Sequence, residues 1–513
     1  MNVGITRIGM EYKMIVIKMY GEDYEQDIRP LIKSFYPKEE LIIEKDSKPS
    51  SCKDSTCKPL KTPTISFVLD SNQLEVSYYK GMEPKISRVK EFHDEEESLT
   101  RSIYRNALHR ATYEVLKEAT KKSLPWGTLT GIRPTKQVLE RLENHESEEA
   151  IREFMVSEYY CSKEKLDLSL TVARREHEIL SNMDYKNGYS VYVGIPFCPS
   201  TCNYCSFTSY PLGRYEDLVE PYLNALTKEI EYAAHAIDKR LSTIYVGGGT
   251  PTTLSAKQLE YLLNTLYKNF ETKQIVEITV EAGRPDSITK DKLQVLKDMG
   301  VSRISINPQS MRQKTLDLIG RHHTAKQIEE SFYLAREIGH DNINMDIILG
   351  LSGENPDDVM YTLDQIAKMN PDSLTVHTLA IKRAARLNTN AADYEKYEAT
   401  HVEEMQRRAV KFAKENDYLP YYLYRQKNMA ENLENVGYAR IGKEGIYNVL
   451  IMEEKQTILA LGAGGSSKFV FHDENRIERV ENVKSVVDYV GRIDEMIQRK
   501  VDFLANVKEG VRL

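Results

Sequence analysis

Three cysteines, Cys198, Cys202 and Cys205, fall within one short stretch with the spacing C-x3-C-x2-C. They follow directly on an apolar, strand-like run at 191–197. Three thiolates at this spacing can hold three irons of a cubane cluster and leave the fourth iron open. An open iron binds a small molecule and passes it an electron, whereas four protein ligands would close the cluster for structure or electron transfer. Two plainer readings stand beside this one: a zinc site short of its fourth ligand, and three unrelated buried cysteines. Zinc is held by four ligands, usually in two pairs, and no second pair lies nearby. Cys52 and Cys57 sit in a stretch, 45–64, rich in Lys, Ser, Asp and Pro, which is loop composition. Cys161 begins a polar helix and is expected to be inert. The zinc reading predicts a colourless protein, so absorption and EPR spectra of anaerobically purified material separate the two.

The elements that must position the triplet follow from hydrophobic periodicity. Short apolar runs at 189–195, 243–246, 275–280, 303–307, 342–348 and 373–378 alternate with helical patterns at 215–236, 256–270, 290–299, 324–338 and 356–369. Six such units imply a parallel sheet with helices over its outer face, a partial barrel open on one side. Ligands of parallel α/β barrels bind at the carboxyl ends of the strands, and every polar motif falls at such an end. The predicted organisation is an N-terminal α+β accessory domain (1–95), a helical connector (96–185), a partial (β/α)6 barrel (186–385) and a C-terminal mixed α/β extension (386–513). Within the first, a strand is expected at 12–20, a helix at 24–35 and a hairpin of 64–69 with 73–79. Within the last, a charged helix is expected at 391–416, strands at 420–425, 446–452 and 456–461, and helix at 483–507.

Four further motifs lie at strand ends. The run GGGTPT at 247–252 follows the second strand. Its glycines let the backbone approach a ligand, and successive N–H groups can bind an anion or dipole; a plain glycine-rich turn is the alternative. Glu281 ends the third strand, where a carboxylate can accept hydrogen bonds from a ribose or an amine. Gln309 follows the fourth strand, and Arg321 precedes the next helix. Asp346 interrupts the apolar fifth strand, a place where a charge needs a partner. His377, Lys382, Arg383 and Arg386 cluster after the sixth strand. Arg133, Lys136, Arg425 and Lys427 are further cations in turn-like pieces. Each could equally be a solvent-facing charge.

Composition limits the function classes. The 513-residue chain carries a net charge of −7, with 41% hydrophobic and 29% charged residues. This is the make-up of a soluble globular protein and argues against a dedicated nucleic-acid binder. No stretch of about 18 apolar residues is present to span a membrane. Six cysteines, half of them in the triplet, fit a reducing cytoplasm and metal chemistry more than a disulfide framework.

The run YVGIPFC at 192–198, with its C-x3-C-x2-C spacing and the later GGGTPT, resembles the radical S-adenosylmethionine (SAM) enzymes. More narrowly, it resembles the oxygen-independent coproporphyrinogen III dehydrogenase group. The piece 125–136, the N-terminal extension and the run YYLYRQKNM at 421–429 are similar to its HemZ branch. The resemblance implies a radical SAM partial barrel and one 4Fe-4S cluster on Cys198, Cys202 and Cys205. It implies S-adenosyl-L-methionine held by Tyr192, Gly248 and Glu281, and a second-SAM region lined by Tyr204, Gly249, Thr250, Gln309, Arg321, Asp346 and Ala380. It implies a porphyrinogen or haem-type ligand whose propionates would suit Arg133, Lys382, Arg383 and Arg425, and a flavodoxin or ferredoxin-type electron donor. The reaction implied is oxidative decarboxylation of coproporphyrinogen III; the alternatives are a haem chaperone and a radical SAM enzyme acting on another tetrapyrrole. Two positions depart from the group. Phe207 stands where authentic dehydrogenases commonly carry another cysteine, and Gly194 stands where many relatives have histidine.

Overall fold

A computed structural model describes residues 14–37, 39–46, 62–80, 83–92, 101–205, 207, 209–379, 401–426 and 433–508. The chain divides into two compact units, Met1–Leu170 and Thr171–Leu513.

In the first unit the hairpin at 64–79 forms at the expected residues. Its turn is fixed by Asp70, whose Oδ1 accepts from the Asn72 N–H at 2.9 Å and the Gln73 N–H at 2.8 Å. The hairpin belongs to a five-stranded sheet ordered Glu40–Asp46, Met14–Gly21, Thr64–Leu69, Gln73–Tyr79 and Pro84–Glu91. Ile17, Phe67 and Val76 pack in one core with Ile28 and Leu31 of the helix Glu25–Phe35 and with Leu108 and Leu116 of the helix Arg101–Thr120. Helices at Lys136–Glu143 and Glu148–Tyr159 follow. Cys161 is buried.

The second unit contains all six expected parallel strands: β1 (Gly188–Ile195), β2 (Arg240–Gly248), β3 (Glu277–Gly283), β4 (Arg303–Ile306), β5 (Ile343–Leu349) and β6 (Ser373–Thr378). They lie side by side in chain order, each parallel to the next. Helices α1 (Val219–Ala233), α2 (Ala256–Asn269), α3 (Lys290–Asp298), α4 (Ala325–Ile338) and α5 (Pro356–Met369) connect them. Three of these helices open with a capping box, Ser255 with Gln258, Thr324 with Gln327 and Asn355 with Asp358. Side chains there satisfy amides that a helix start leaves unpaired, so each loop ends at a defined residue.

Beyond β6, α6 (Val402–Glu415) lies within the expected charged helix; the rest of that expectation, at 391–400, lies outside the described residues. Strands β7 (Leu419–Tyr424) and β8 (Asn435–Ala439) continue the sheet past β6, with β8 antiparallel to it. At the other end β9 (Thr457–Leu461) pairs parallel to β1, and β10 (Ser466–Phe471) and β11 (Arg476–Glu481) extend the sheet further. The sheet therefore has eleven strands among the described residues.

One expectation is corrected. Residues Ile446–Met452 form a helix, α7, and not a strand. The run IYNVLIM has strand composition, but the Glu277 carboxylate accepts from the Ile446 N–H at 2.7 Å and the Tyr447 N–H at 3.1 Å. A buried carboxylate at these first amides fixes a helix start that local propensity does not favour.

The final helix, α8 (Ile493–Lys508), is anchored by a dry ion pair. Lys500 Nζ lies 2.7 Å from Glu229 of α1, and both side chains are 0% exposed. Glu229 also accepts from Gly462 N–H at 2.8 Å, Asn482 Nδ2 at 2.7 Å and the Tyr489 hydroxyl at 2.5 Å. Removing one partner of such a pair strands the other charge in a low dielectric. Lys500→Met is therefore expected to lower the unfolding free energy by roughly 3–5 kcal/mol, measured by chemical denaturation.

Candidate active site

The carboxyl ends of β1 to β6 open on a cavity of about 230 Å3. Cys198, Cys202 and Cys205 line it together with Tyr204, Gly248, Gly249, Thr250, Glu281, Gln309 and Arg321. The cysteine loop leaves β1 and is stitched to the end of β2. Gly249 N–H donates to Ile195 O at 2.8 Å and Thr250 N–H to Phe197 O at 2.7 Å. The Thr250 hydroxyl points at Cys198 Sγ, 3.5 Å away. The far side of the loop is held by the segment before Arg321: Asn203 N–H donates to Ile319 O at 3.0 Å, Asn203 Nδ2 to Leu318 O at 2.9 Å and Ser200 Oγ to Gly320 O at 3.2 Å. Burial pushes the Cys198 thiol up to about 11, against the opposing effects of the Thr250 hydroxyl and the Arg284 charge.

Glycine is required at the β2 end. A Cβ at Gly249 would lie 2.6 Å from Phe197 O and 2.9 Å from Cys198 Sγ, and Gly248 has φ +110°. Glu281 hangs over this turn and accepts from the Tyr245 hydroxyl at 2.5 Å. Burial raises its carboxyl to about 7, against the opposing effect of the Tyr245 bond. Tyr192 stands behind the wall, stacked with Tyr245 at 6.1 Å and Tyr447 at 6.5 Å between ring centroids.

Gln309 is buried at φ +65°, a strained backbone for a residue with a side chain. It is held there because its N–H donates to Asp346 O at 2.9 Å while Ile348 N–H donates to its carbonyl at 3.0 Å. Asp346 also stands behind the wall, 3.8 Å from His377 Nε2 and 2.7 Å from Asn344 Nδ2. Burial opposes its ionisation, but the bonds from His377, Asn344 and Thr375 outweigh this and hold its carboxyl below the usual range. Arg321 Nη2 reaches the Tyr204 hydroxyl at 3.4 Å.

Of the expected cations, Arg425 is 5% exposed, and burial pushes it down to about 10. Its neighbours Tyr424 and Gln426 line the cavity and Arg425 does not. Arg133 belongs to the first unit and is half-buried; Lys136 pairs there with Glu140 at 3.3 Å. Ala380, Lys382, Arg383, Arg386, Lys427, Cys52 and Cys57 lie outside the described residues. Arg284, Asn307, Tyr424, Gln426 and Asn435 also line the cavity and were not singled out by sequence reasoning. Arg284 and Asn307 lie beside motifs that were, so position at a strand end was the usable signal. Phe207, at the departure from the dehydrogenase pattern, is 70% exposed on the cavity rim.

The residues fit an iron–sulfur and SAM pair. Three thiols share the cavity, the β2 turn has no room for a side chain, and three buried polar atoms of its lining have no hydrogen-bond partner: Asn307 Oδ1, Gln309 Oε1 and Arg321 Nε. Among the described residues no three His, Cys, Asp or Glu side chains converge closely enough for a single metal ion.

Comparison with known proteins agrees. The Radical SAM superfamily profile matches residues 192–366. The chain is 40% identical over 410 residues to the oxygen-independent coproporphyrinogen-III oxidase-like protein HemZ of Bacillus subtilis, covering 79% of this chain and 82% of that protein. The chain belongs to this radical SAM family. Members of the radical SAM family use a 4Fe-4S cluster and SAM. The heme chaperone HemW of B. subtilis is 36% identical over 195 residues, 38% of this chain and 51% of that one. The structure of coproporphyrinogen III oxidase (HemN) from Escherichia coli aligns with TM-score 0.49 at 24% identity, covering 62% of this chain and 72% of that one. No described helix is long and apolar enough to cross a membrane.

Two outcomes follow from this geometry. Gly249→Ala is expected to reduce iron and sulfide content after anaerobic reconstitution while leaving far-ultraviolet circular dichroism unchanged. The second concerns Glu354, a buried carboxyl that accepts from Ser310 Oγ at 2.5 Å, next to Gln309. Burial raises it from 4.5 to about 7. Its folded form holds the proton more tightly than the unfolded one, so its stabilisation is complete below about 4.5 and is lost as pH rises through about 7. Glu354→Gln should therefore flatten the pH dependence of Tm across that window and gain on wild type at pH 8.

Proposed function

We propose that this chain oxidatively decarboxylates two propionates of coproporphyrinogen III to vinyl groups, giving protoporphyrinogen IX. The observation that carries this reading is the extent of similarity. The match to the HemZ relative, a coproporphyrinogen-III oxidase-like protein by name, runs over 410 residues, far beyond the superfamily core at 192–366, whereas the matches to the haem chaperone of B. subtilis and to the coproporphyrinogen III oxidase of Salmonella typhimurium stop at 195 and 192 residues.

In this reading Cys198, Cys202 and Cys205 hold the cluster. SAM bound beside that cluster would supply the radical chemistry the reaction needs. Gly248 and Glu281 would hold that SAM, the glycine by leaving room at the β2 turn and the carboxylate by accepting from hydroxyl or amine groups, with Tyr192 supporting them from behind the wall. Tyr204, Gly249, Thr250, Gln309 and Arg321 are the proposed lining of a second-SAM region, with Asp346 behind its wall and Ala380 as a further proposed contact. Lys382 and Arg383 are the proposed partners of the propionates. Each vinyl group requires loss of one β-hydrogen atom, one carbon dioxide and one electron, so two rounds consume two SAM. A flavodoxin or ferredoxin supplies the low-potential electron that reduces the cluster. Residues 1–95 and 96–185 are read as an accessory domain and its connector, and 386–513 as the substrate side of the barrel at 186–385.

Phe207 favours a second reading, a haem chaperone that keeps the cluster and performs no decarboxylation. An anaerobic assay of the reconstituted chain with SAM, reductant and coproporphyrinogen III separates the two. Protoporphyrinogen together with 5′-deoxyadenosine is expected. Deoxyadenosine without protoporphyrinogen removes the substrate assignment, and stoichiometric haem binding without turnover supports the chaperone.

A further inference from the structure

Arg284 leaves the end of β3 and is 3% exposed, a buried cation beside the cysteine loop. One edge of its guanidinium faces that loop. Nη1 donates to Ser200 O at 3.0 Å and to Ser200 Oγ at 2.9 Å, and reaches Cys202 Sγ at 3.7 Å. The other edge grips Asp286, with Nε 3.0 Å from Oδ1 and Nη2 2.6 Å from Oδ2. His323 Nδ1 lies 3.6 Å from the same carboxylate, and its side chain has no exposure. With both edges engaged, the planar fork cannot turn away from the sulfur.

Nothing in the radical chemistry requires a cation here. Its position has a definite electrostatic consequence. A donor and a positive charge at a ligand sulfur favour the reduced, more negative form of a cluster and raise its potential. Asp286 lies on the far edge of the guanidinium from the sulfur, so its negative charge offsets only part of this effect.

We propose that Arg284 is a positioning residue that sets the reduction potential of the cluster through Cys202, with Asp286 locking its orientation. The proposal rests on Cys202 being an iron ligand. In this arrangement Arg284 makes the cluster easier for an external donor to reduce. The Ser200 contacts tie the loop's geometry to the same side chain, and Arg321 is a second buried cation acting on Cys202.

The test is EPR-monitored reduction of the full, anaerobically reconstituted chain at poised potentials, with iron and sulfide counted so that only the loaded fraction is compared. Arg284→Met should make reduction at least about tenfold harder, a shift of about 59 mV to lower potential for one electron. Arg284→Lys, which keeps the charge and loses the fork, should fall between Met and wild type. Asp286→Asn should shift the potential the opposite way, upwards. A purely structural clamp predicts lower iron loading with an unchanged potential in the loaded fraction; that result in Arg284→Met and Asp286→Asn overturns the proposal. Should Arg284→Met take up no cluster, the shifts in Arg284→Lys and Asp286→Asn decide it. Cys202→Ser tests the underlying reading separately: retention of the wild-type signal removes Cys202 as a ligand and the proposal with it.

Discussion

The second unit turns on one carboxylate shielded from water. Glu229 lies on α1, and its oxygens accept from a backbone amide at Gly462, an amide side chain at Asn482, a hydroxyl at Tyr489 and the ammonium of Lys500. Burying that charge is costly, and the cost is offset only when every partner is in place. Four separate pieces of the C-terminal region must therefore arrive together. The same helix sends Tyr222 to the carbonyl of Gly194, near the end of β1, with a 2.5 Å bond. The strand that presents the cysteines and the helix that ends the described chain thus meet through two side chains about two turns apart on α1. Gly194 contributes its carbonyl to this joint.

Parallel strands explain why the polar residues meet at all. All six carboxyl ends face one way, so residues scattered from Cys198 to His377 are delivered to one rim. The precision within that rim comes from hydrogen bonds more than from apolar packing. Asn203 and Ser200 bind carbonyls of 318–320, and the amides of Gly249 and Thr250 bind carbonyls of the cysteine loop. Gln309 keeps its positive φ because it bridges to β5 through both its amide and its carbonyl. Such contacts fix direction, and direction is what a loop of thiols must have before metal arrives.

The barrel was legible because a parallel strand covered on both faces tends to a short apolar run, and the six approach that form even where Asp346 interrupts β5. The motifs were legible because Cys, Gly and acidic residues at strand ends have few other uses. The remainder depended on partners distant in sequence. Ile446–Met452 reads as a strand until Glu277, far upstream, is seen to cap it. Strand β8 hides because Asn435 and Gly437 dilute its apolar pattern, yet it pairs with β6 and brings Asn435 to the cavity wall. Tyr424 and Gln426 reach that wall from a segment with no periodic link to the barrel. Arg284 looks like an ordinary surface charge in the run GRPDS, and only the folded loop shows it buried against a sulfur.

The pairing of β9 with β1 also sets an order of events in synthesis. As the chain leaves the ribosome, β1 and the three cysteines emerge about half a chain length ahead of residues 457–461. Until those residues arrive, β1 is an open sheet edge, with unpaired amides and carbonyls ready to join any other strand. Closing a pairing across so long a separation is slow. The strand that presents the thiols is therefore among the first parts of this unit to be made and among the last to be paired on both edges.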